Sequence, residues 1–158
     1  MFMRYLSVFF ISMVPLIELR GAIPIALGMD LPAIPSIAVC VLGNMLPVPV
    51  IYFFAQKFLL WGMERRHIGG ICRFFHDKGI SAGQRLTSGR SGKYGLLVGL
   101  MLFVGIPLPG TGAWTGTLAA SFLNMGGKDT AIAVSSGVVI AGTIMTIVSL
   151  LGLHIFGL

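Results

Sequence analysis

The sequence predicts an all-α integral membrane protein: an inverted repeat in which each half is a re-entrant helical hairpin followed by a transmembrane helix, the halves joined by a basic, amphipathic cytoplasmic linker. Three observations predict it. Hydrophobic residues make up 56% of the 158 and charged ones only 10%, and the mean hydropathy is +0.94, more apolar surface than so small a chain can hide from water. The apolar residues fall into four blocks, two of spanning length and two cut near their middles by proline and glycine. Most of the basic residues stand together between the second and third blocks.

The first block, residues 5–28, is preceded by Arg4, as a signal peptide would be, but no small-residue cleavage pattern follows and Glu18 and Arg20 come instead. It reads as mature structure. Pro15, Gly21 and Pro24 cut it into limbs of roughly 11 to 13 residues, well short of the roughly 20 a spanning helix needs. Such limbs predict a hairpin that enters and leaves on one face, tolerated at that depth where protein or a water-filled cavity covers the irregular backbone. Residues 34–60 are long enough to span, with a kink expected at Pro47 and Pro49. In the linker, 64–93, the residues Arg65, Arg66, Arg73, Lys78, Arg85, Arg90 and Lys93 give the positive-inside signature of a cytoplasmic segment. Ile68, Ile71, Phe74, Phe75 and Ile80 alternate with its charges at helical spacing, predicting a short helix on the inner leaflet.

The third block, 94–123, is cut by GIPLPGTG at 105–112 into a second hairpin, and 130–156 forms the second span. Aligning LRGAIP at 19–24 with LPGTGA at 108–113 pairs the two tips; each is followed by a polar connection with an acid, Asp30 or Asp129, and then a span. With one span per half, the second half is inverted and the tips approach from opposite faces, the construction usual in secondary transporters. Charge placement puts the first hairpin's opening and the C-terminus outside, and Lys128 inside.

Other classes find little support. The net charge of +6 is concentrated in the linker rather than spread over a nucleic-acid-binding surface. Cys40 lies in an apolar block and Cys72 in the basic linker, which argues against a disulfide. His67, His76 and His154 lack the spacing of a helical metal site. No cofactor, phosphate-loop or dinucleotide motif and no catalytic triad is present in the sequence. The expectation is a non-enzymatic protein without cofactor or nucleic-acid partner, in contact with membrane lipid. Because 158 residues can hardly enclose a wide aqueous path, a homo-oligomer is also expected.

Function is sought first at Glu18 and Arg20. An ionisable residue at lipid depth costs about 2.5 to 3.5 kcal/mol even on the lenient insertion scale, so it faces a partner, a cavity or a substrate. At a broken tip, with Gly21 and Pro24 nearby, both side chains can reach one cavity. Arg20 would offer a planar fork to a phosphate or carboxylate, and Glu18 would carry a proton; the competing reading is that both pin the tip, to each other or to the other hairpin. At the second tip, Pro107, Pro109, Gly110, Thr111, Gly112 and Trp114 would expose unpaired amides at a half-helix start, where an anion can sit. The competing reading is a turn that lets two short helices approach. Asn44 and Pro47 form a second tier, able to line a pathway or merely shape a bend.

The motifs PLIELRGAIPIALG at 15–28 and GIPLPGTGAWTGTLAA at 105–120 resemble those of the small multi-drug export protein family, and the layout of the whole chain is similar to it. More distantly the chain resembles the DedA or VTT-domain membrane proteins, although Pro107 and Pro109 stand where that group typically has an arginine. The resemblance implies facing re-entrant hairpins and transport: efflux of small organic cations by the first family, proton-coupled movement of polyprenyl phosphate or phospholipid by the second. Arginine suits a phosphate group better than a cation, so an anionic, phosphate-bearing lipid or other small anion is the expected substrate; cation export and a non-transporting assembly role are the alternatives.

Overall fold

The computed structural model describes residues 1–65, 69–70, 72–74, 77, 81, 92–108 and 110–155. Seven helices of ten or more residues lie among them: α1 (Phe2–Met13), α2 (Glu18–Gly28), α3 (Ala33–Met45), α4 (Pro47–Met63), α5 (Gly92–Gly105), α6 (Ala113–Phe122) and α7 (Gly127–Ile155). There is no strand among the described residues. Ile68, Ile71, Phe75 and Ile80, on which the amphipathic linker helix was expected, lie outside them.

Two stretches are long and apolar enough to cross a bilayer. α3 and α4 together form a run of 31 residues, Ala33–Met63, and α7 contributes Gly127–Gly152. The join of α3 and α4 falls at Leu46, immediately before Pro47, where proline has no N–H to continue the ladder. Phe53, Phe54 and Phe58 of α4 and Ile147, Val148 and Leu151 of α7 are exposed. Apolar side chains this large and numerous on the outside want hydrocarbon rather than water around them. The protein is a membrane protein of helices only, as far as the described residues go.

Of the three expected breakers, only Pro15 stands in the first chain reversal. Val14 is extended, with φ −70° and ψ 128°, as the residue before a proline must be, and Leu16 and Glu18 take left-handed φ of 75° and 50°. Gly21 and Pro24, expected to help break the block, lie inside α2. Pro24 sits at the seventh helical position, and its missing N–H leaves only the Arg20 carbonyl without its helical donor.

Several backbone features of residues 16–36 have counterparts 94 residues further on. Leu16, Glu18 and Asp30 have positive φ, and so do Gly110, Gly112 and Asn124 (16 with 110, 18 with 112, 30 with 124). α2 ends in a cap in which Leu31 N–H donates to Ala26 O at 3.1 Å and Asp30 N–H to Leu27 O at 3.0 Å; α6 ends in the same cap, with Met125 N–H to Ala120 O at 3.0 Å and Asn124 N–H to Ser121 O at 3.2 Å. The spans then start alike, Ser36 N–H donating to Pro32 O and Thr130 N–H to Gly126 O. This register pairs Leu19 with Ala113 and corrects the expected alignment of 19–24 with 108–113. Matching the letters of proline and glycine failed because the first tip makes its left-handed turns with Leu16 and Glu18, where the second uses glycines.

Packing repeats with the backbone. α1 lies on α3 where a Cβ at Gly43 would overlap Ser12, and α5 lies on α7 where Gly137 meets Met101 O and Val104. α2 packs across onto α7 and α6 across onto α4. The two spans run in opposite directions, Gly142 lying against Ile37 and Gly127 against Tyr52. Between them sits the core, with Leu19, Ile23 and Ala26 of α2, Val104 of α5, Ala120 of α6, and Val134 and Val138 of α7 all buried. One difference breaks the likeness. α1 and α2 pack closely, tied at the open end by Arg4 Nη1 donating to Met29 O at 2.9 Å, whereas α5 and α6 touch only sparsely.

Candidate substrate cleft at the hairpin tips

Glu18 opens α2 but serves α6. Its carboxylate crosses to the second hairpin, where Oε1 accepts from the Trp114 N–H at 3.1 Å and Oε2 from the Ala113 N–H at 3.3 Å. These are the first two amides of α6, which have no partner within their own helix and stand at the positive end of its dipole. A carboxylate there is stabilised twice, by charge-assisted hydrogen bonds and by the dipole. The left-handed φ of Glu18 directs the side chain across, and burial is nearly complete, with 5% of the residue exposed. Gly112 makes room for it: its φ is 147°, and a Cβ there would overlap the Glu18 carboxylate.

Arg20 serves the other end of the same reversal. Nη1 donates to Leu108 O, and Nη2 donates to Thr111 Oγ1 at 2.7 Å and more weakly to Ile106 O at 3.4 Å. The guanidinium thus closes the C-terminal end of α5, where orphan carbonyls gather negative partial charge. Thr111 Oγ1 lies 2.9 Å from both Ile106 O and Leu108 O, within reach to donate to either. Trp114, the counterpart of Arg20 in the second half, reciprocates: its Nε1–H donates to Met13 O at 3.2 Å, at the end of α1. Each tip therefore caps the first limb of the opposite hairpin.

These contacts correct one expectation. The amides at the start of α6 are not bare and the Arg20 fork is not free: the first hold Glu18 and the second holds the α5 carbonyls. Where burial keeps water out, as around Glu18, orphan donors and acceptors at a helix end cost too much to leave unpaired.

Beside the contacts opens a cleft of about 300 Å³. Glu18, Arg20, Thr111 and Trp114 form its polar and aromatic walls, with Leu16 and the α7 residue Met145 among the apolar ones. Pro107 and Gly110, also expected at the site, line it as well. Gly112 lies buried against Glu18. Gly21 and Pro24, inside α2, are not among its walls, and Pro109 lies outside the described residues. Asn44 and Pro47 are buried in the α3–α4 span, away from the cleft. Asn44 is fully buried, with neither side-chain polar atom bonded. Sequence reasoning missed Leu16, Leu108, Thr115 and Met145. Nothing singles out Met145 in an apolar span; Leu16, next to Pro15 in a forced reversal, carried a faint signal.

A family model described as Putative small multi-drug export protein matches residues 18–144. No curated protein and no solved structure matches the chain.

Proposed function

The chain belongs to the small multi-drug export protein family, and on that premise we propose that it exports amphiphilic organic cations through the cleft between its hairpin tips. One observation carries this reading: Glu18, an acid in an apolar helical bundle, and the aromatic residue Trp114 line the same cleft. A carboxylate beside an aromatic face is the recognition chemistry of a lipophilic cation. Arg20 opposes a cation less than its sequence position suggests, because its charge sits on the Leu108 and Ile106 carbonyls at the negative end of α5. The same engagement weakens the expectation of an anionic substrate.

Each hairpin is re-entrant on this account. α1, α2, α5 and α6 have 12, 11, 14 and 10 residues, and at about 1.5 Å per residue none crosses a hydrocarbon core of about 30 Å. With the spans antiparallel, the two halves form an inverted repeat whose tips meet in the membrane. One half closed and the other splayed describes one state of a transporter; exchange of the two packings would move the opening to the other face. Glu18 exchanges its hold on the α6 amides for a proton or the substrate. The basic segment 64–93 faces the cytoplasm of an inner membrane, and a homo-oligomer would complete the enclosure.

A second reading, transport of an anionic, phosphate-bearing lipid, is supported by Arg20 and Thr111 lining the same cleft; it requires Glu18 to release the α6 amides to the phosphate. Proteoliposomes with an imposed pH gradient separate the two. Uptake of tetraphenylphosphonium is expected in the wild type and at least about ten-fold less in Glu18→Gln, the loss of a buried charge partner being worth more than 1.4 kcal/mol. Cation uptake at the wild-type rate in Glu18→Gln would sink the first reading; flipping of a fluorescent phosphatidylglycerol, lost in Arg20→Ala, would establish the second.

A further inference from the structure

α4 and α6 form a pair within the bundle. Each packs more closely on the other than on any other described helix, whereas α1, α2, α3, α5 and α7, the body, are knit together by broad contacts among themselves. Hydrogen bonds fasten the pair where α6 ends. The buried Tyr52 of α4 donates its Oη–H to Met125 O, Gln56 Nε2 donates to Tyr52 Oη at 3.1 Å, and Ser121 Oγ donates more weakly to Tyr52 O at 3.5 Å. The tip end of α6 is held to the first hairpin instead, through Glu18 and Trp114. Against α5 the pair makes a close approach where a Cβ at Gly116 would overlap Val104.

The chain joins this pair to the body at a weak point. α3 passes into α4 through Leu46, which keeps a helical φ of −61° and ψ of −43°, but Pro47 and Pro49 have no N–H, so the Gly43 and Met45 carbonyls lack their helical donors. Near the middle of the run Ala33–Met63 the ladder is thus interrupted twice, and bending there costs fewer hydrogen bonds than elsewhere in the span. Asn44 sits in this turn, 0% exposed, with neither its Oδ1 nor its Nδ2 bonded. An amide buried without partners is penalised, and an apolar side chain of the same shape would fill the space without the penalty. A residue that penalises one packing and is bonded in another shifts the balance between the two.

We propose that α4 and α6 swing as one arm about the α3–α4 joint, parting α6 from α5 at Val104, and that Asn44 favours the swung position, where its amide gains the partners it lacks here. Pro47 and Pro49 supply the hinge, Tyr52 makes α6 follow α4, and the Glu18 contact at the tip is the latch. The device does not depend on what the tip cleft carries, and its test uses no substrate.

Labelling of buried cysteines by N-ethylmaleimide tests it, in the full chain reconstituted in phosphatidylcholine nanodiscs and followed site by site by peptide mass spectrometry. Val104→Cys, between arm and body, is expected to react, whereas Ser121→Cys, inside the arm against Tyr52, stays protected over the same period, although Ser121 is the more exposed of the two, at 4% against 1%. Asn44→Leu should slow labelling at position 104 at least about ten-fold, equivalent to about 1.4 kcal/mol. It should also raise the unfolding midpoint, since it removes the penalty from this packing and the amide's partners from the other. Pro47→Ala, which returns a donor to Gly43 O, should slow the labelling as well, and it stands in if Asn44→Leu does not purify as a monodisperse species. Equal rates at positions 104 and 121, a rate at 104 unchanged by either substitution, or a lowered unfolding midpoint in Asn44→Leu would overturn the proposal.

Discussion

Gly112→Ala is expected to separate the two hairpins and abolish transport. The residue sits at φ 147° and ψ −172°, in a region that side chains beyond glycine avoid at a cost of about 1–3 kcal/mol. Its new Cβ would overlap the Glu18 carboxylate, so one of the two must move. If Glu18 withdraws, the Ala113 and Trp114 amides lose their acceptor where little water can replace it, at about 1–3 kcal/mol for each orphaned group. The combined loss is on the order of 4 kcal/mol, enough to remove much of a small domain's stability. Gly110→Ala supplies the control: its φ is 83°, but nothing lies within 4 Å of the added carbon, so only the backbone strain of about 1 kcal/mol applies. Thermal unfolding in detergent should rank Gly112→Ala far below Gly110→Ala. Equal melting temperatures would mean that Glu18 does not occupy the position described.

Arg20→Ala should cost about 2–4 kcal/mol, because three acceptors at the end of α5 lose a charged donor at once. It also leaves the Glu18 carboxylate without a nearby opposite charge. Arg20→Lys is expected to fall between, since a single ammonium carries the charge but cannot reproduce a planar fork spanning Leu108, Ile106 and Thr111. The measurement is again the unfolding midpoint, with hydrogen exchange of the Thr111 and Leu108 amides reporting whether the loss is local to the second tip. A lysine variant as stable as the wild type would show that charge alone, and not the fork, holds the tip.

The outline was legible in the amino acids because membrane proteins write their layout in hydropathy. Two long apolar runs gave the spans, and Pro47 marked the α3–α4 join because a missing N–H acts locally. Glu18 and Arg20 stood out for the same reason: charge in an apolar context is expensive, and both line the tip cleft. The partners were not legible. That Glu18 reaches Ala113 and Trp114, or Arg20 reaches Leu108, depends on two reversals 94 residues apart meeting in space, and the acceptors are backbone atoms that leave no trace in side-chain chemistry. Register failed at the tips because Leu16 and Glu18 adopt left-handed backbone that their letters do not advertise. Trp114 was legible as a tip residue, but not as the counterpart of Arg20 that caps α1.

Glu18 and Trp114 line one cleft, and binding of a lipophilic cation there, as proposed, is read most directly from the fluorescence of Trp114. With Trp61→Phe removing the other indole, titration of the full-length protein with tetraphenylphosphonium should perturb Trp114 emission saturably. The change should disappear in Glu18→Gln and persist in Glu64→Gln, which alters an acid at the far end of α4. A saturable signal unchanged by Glu18→Gln, or none in the Trp61→Phe protein, would contradict the account.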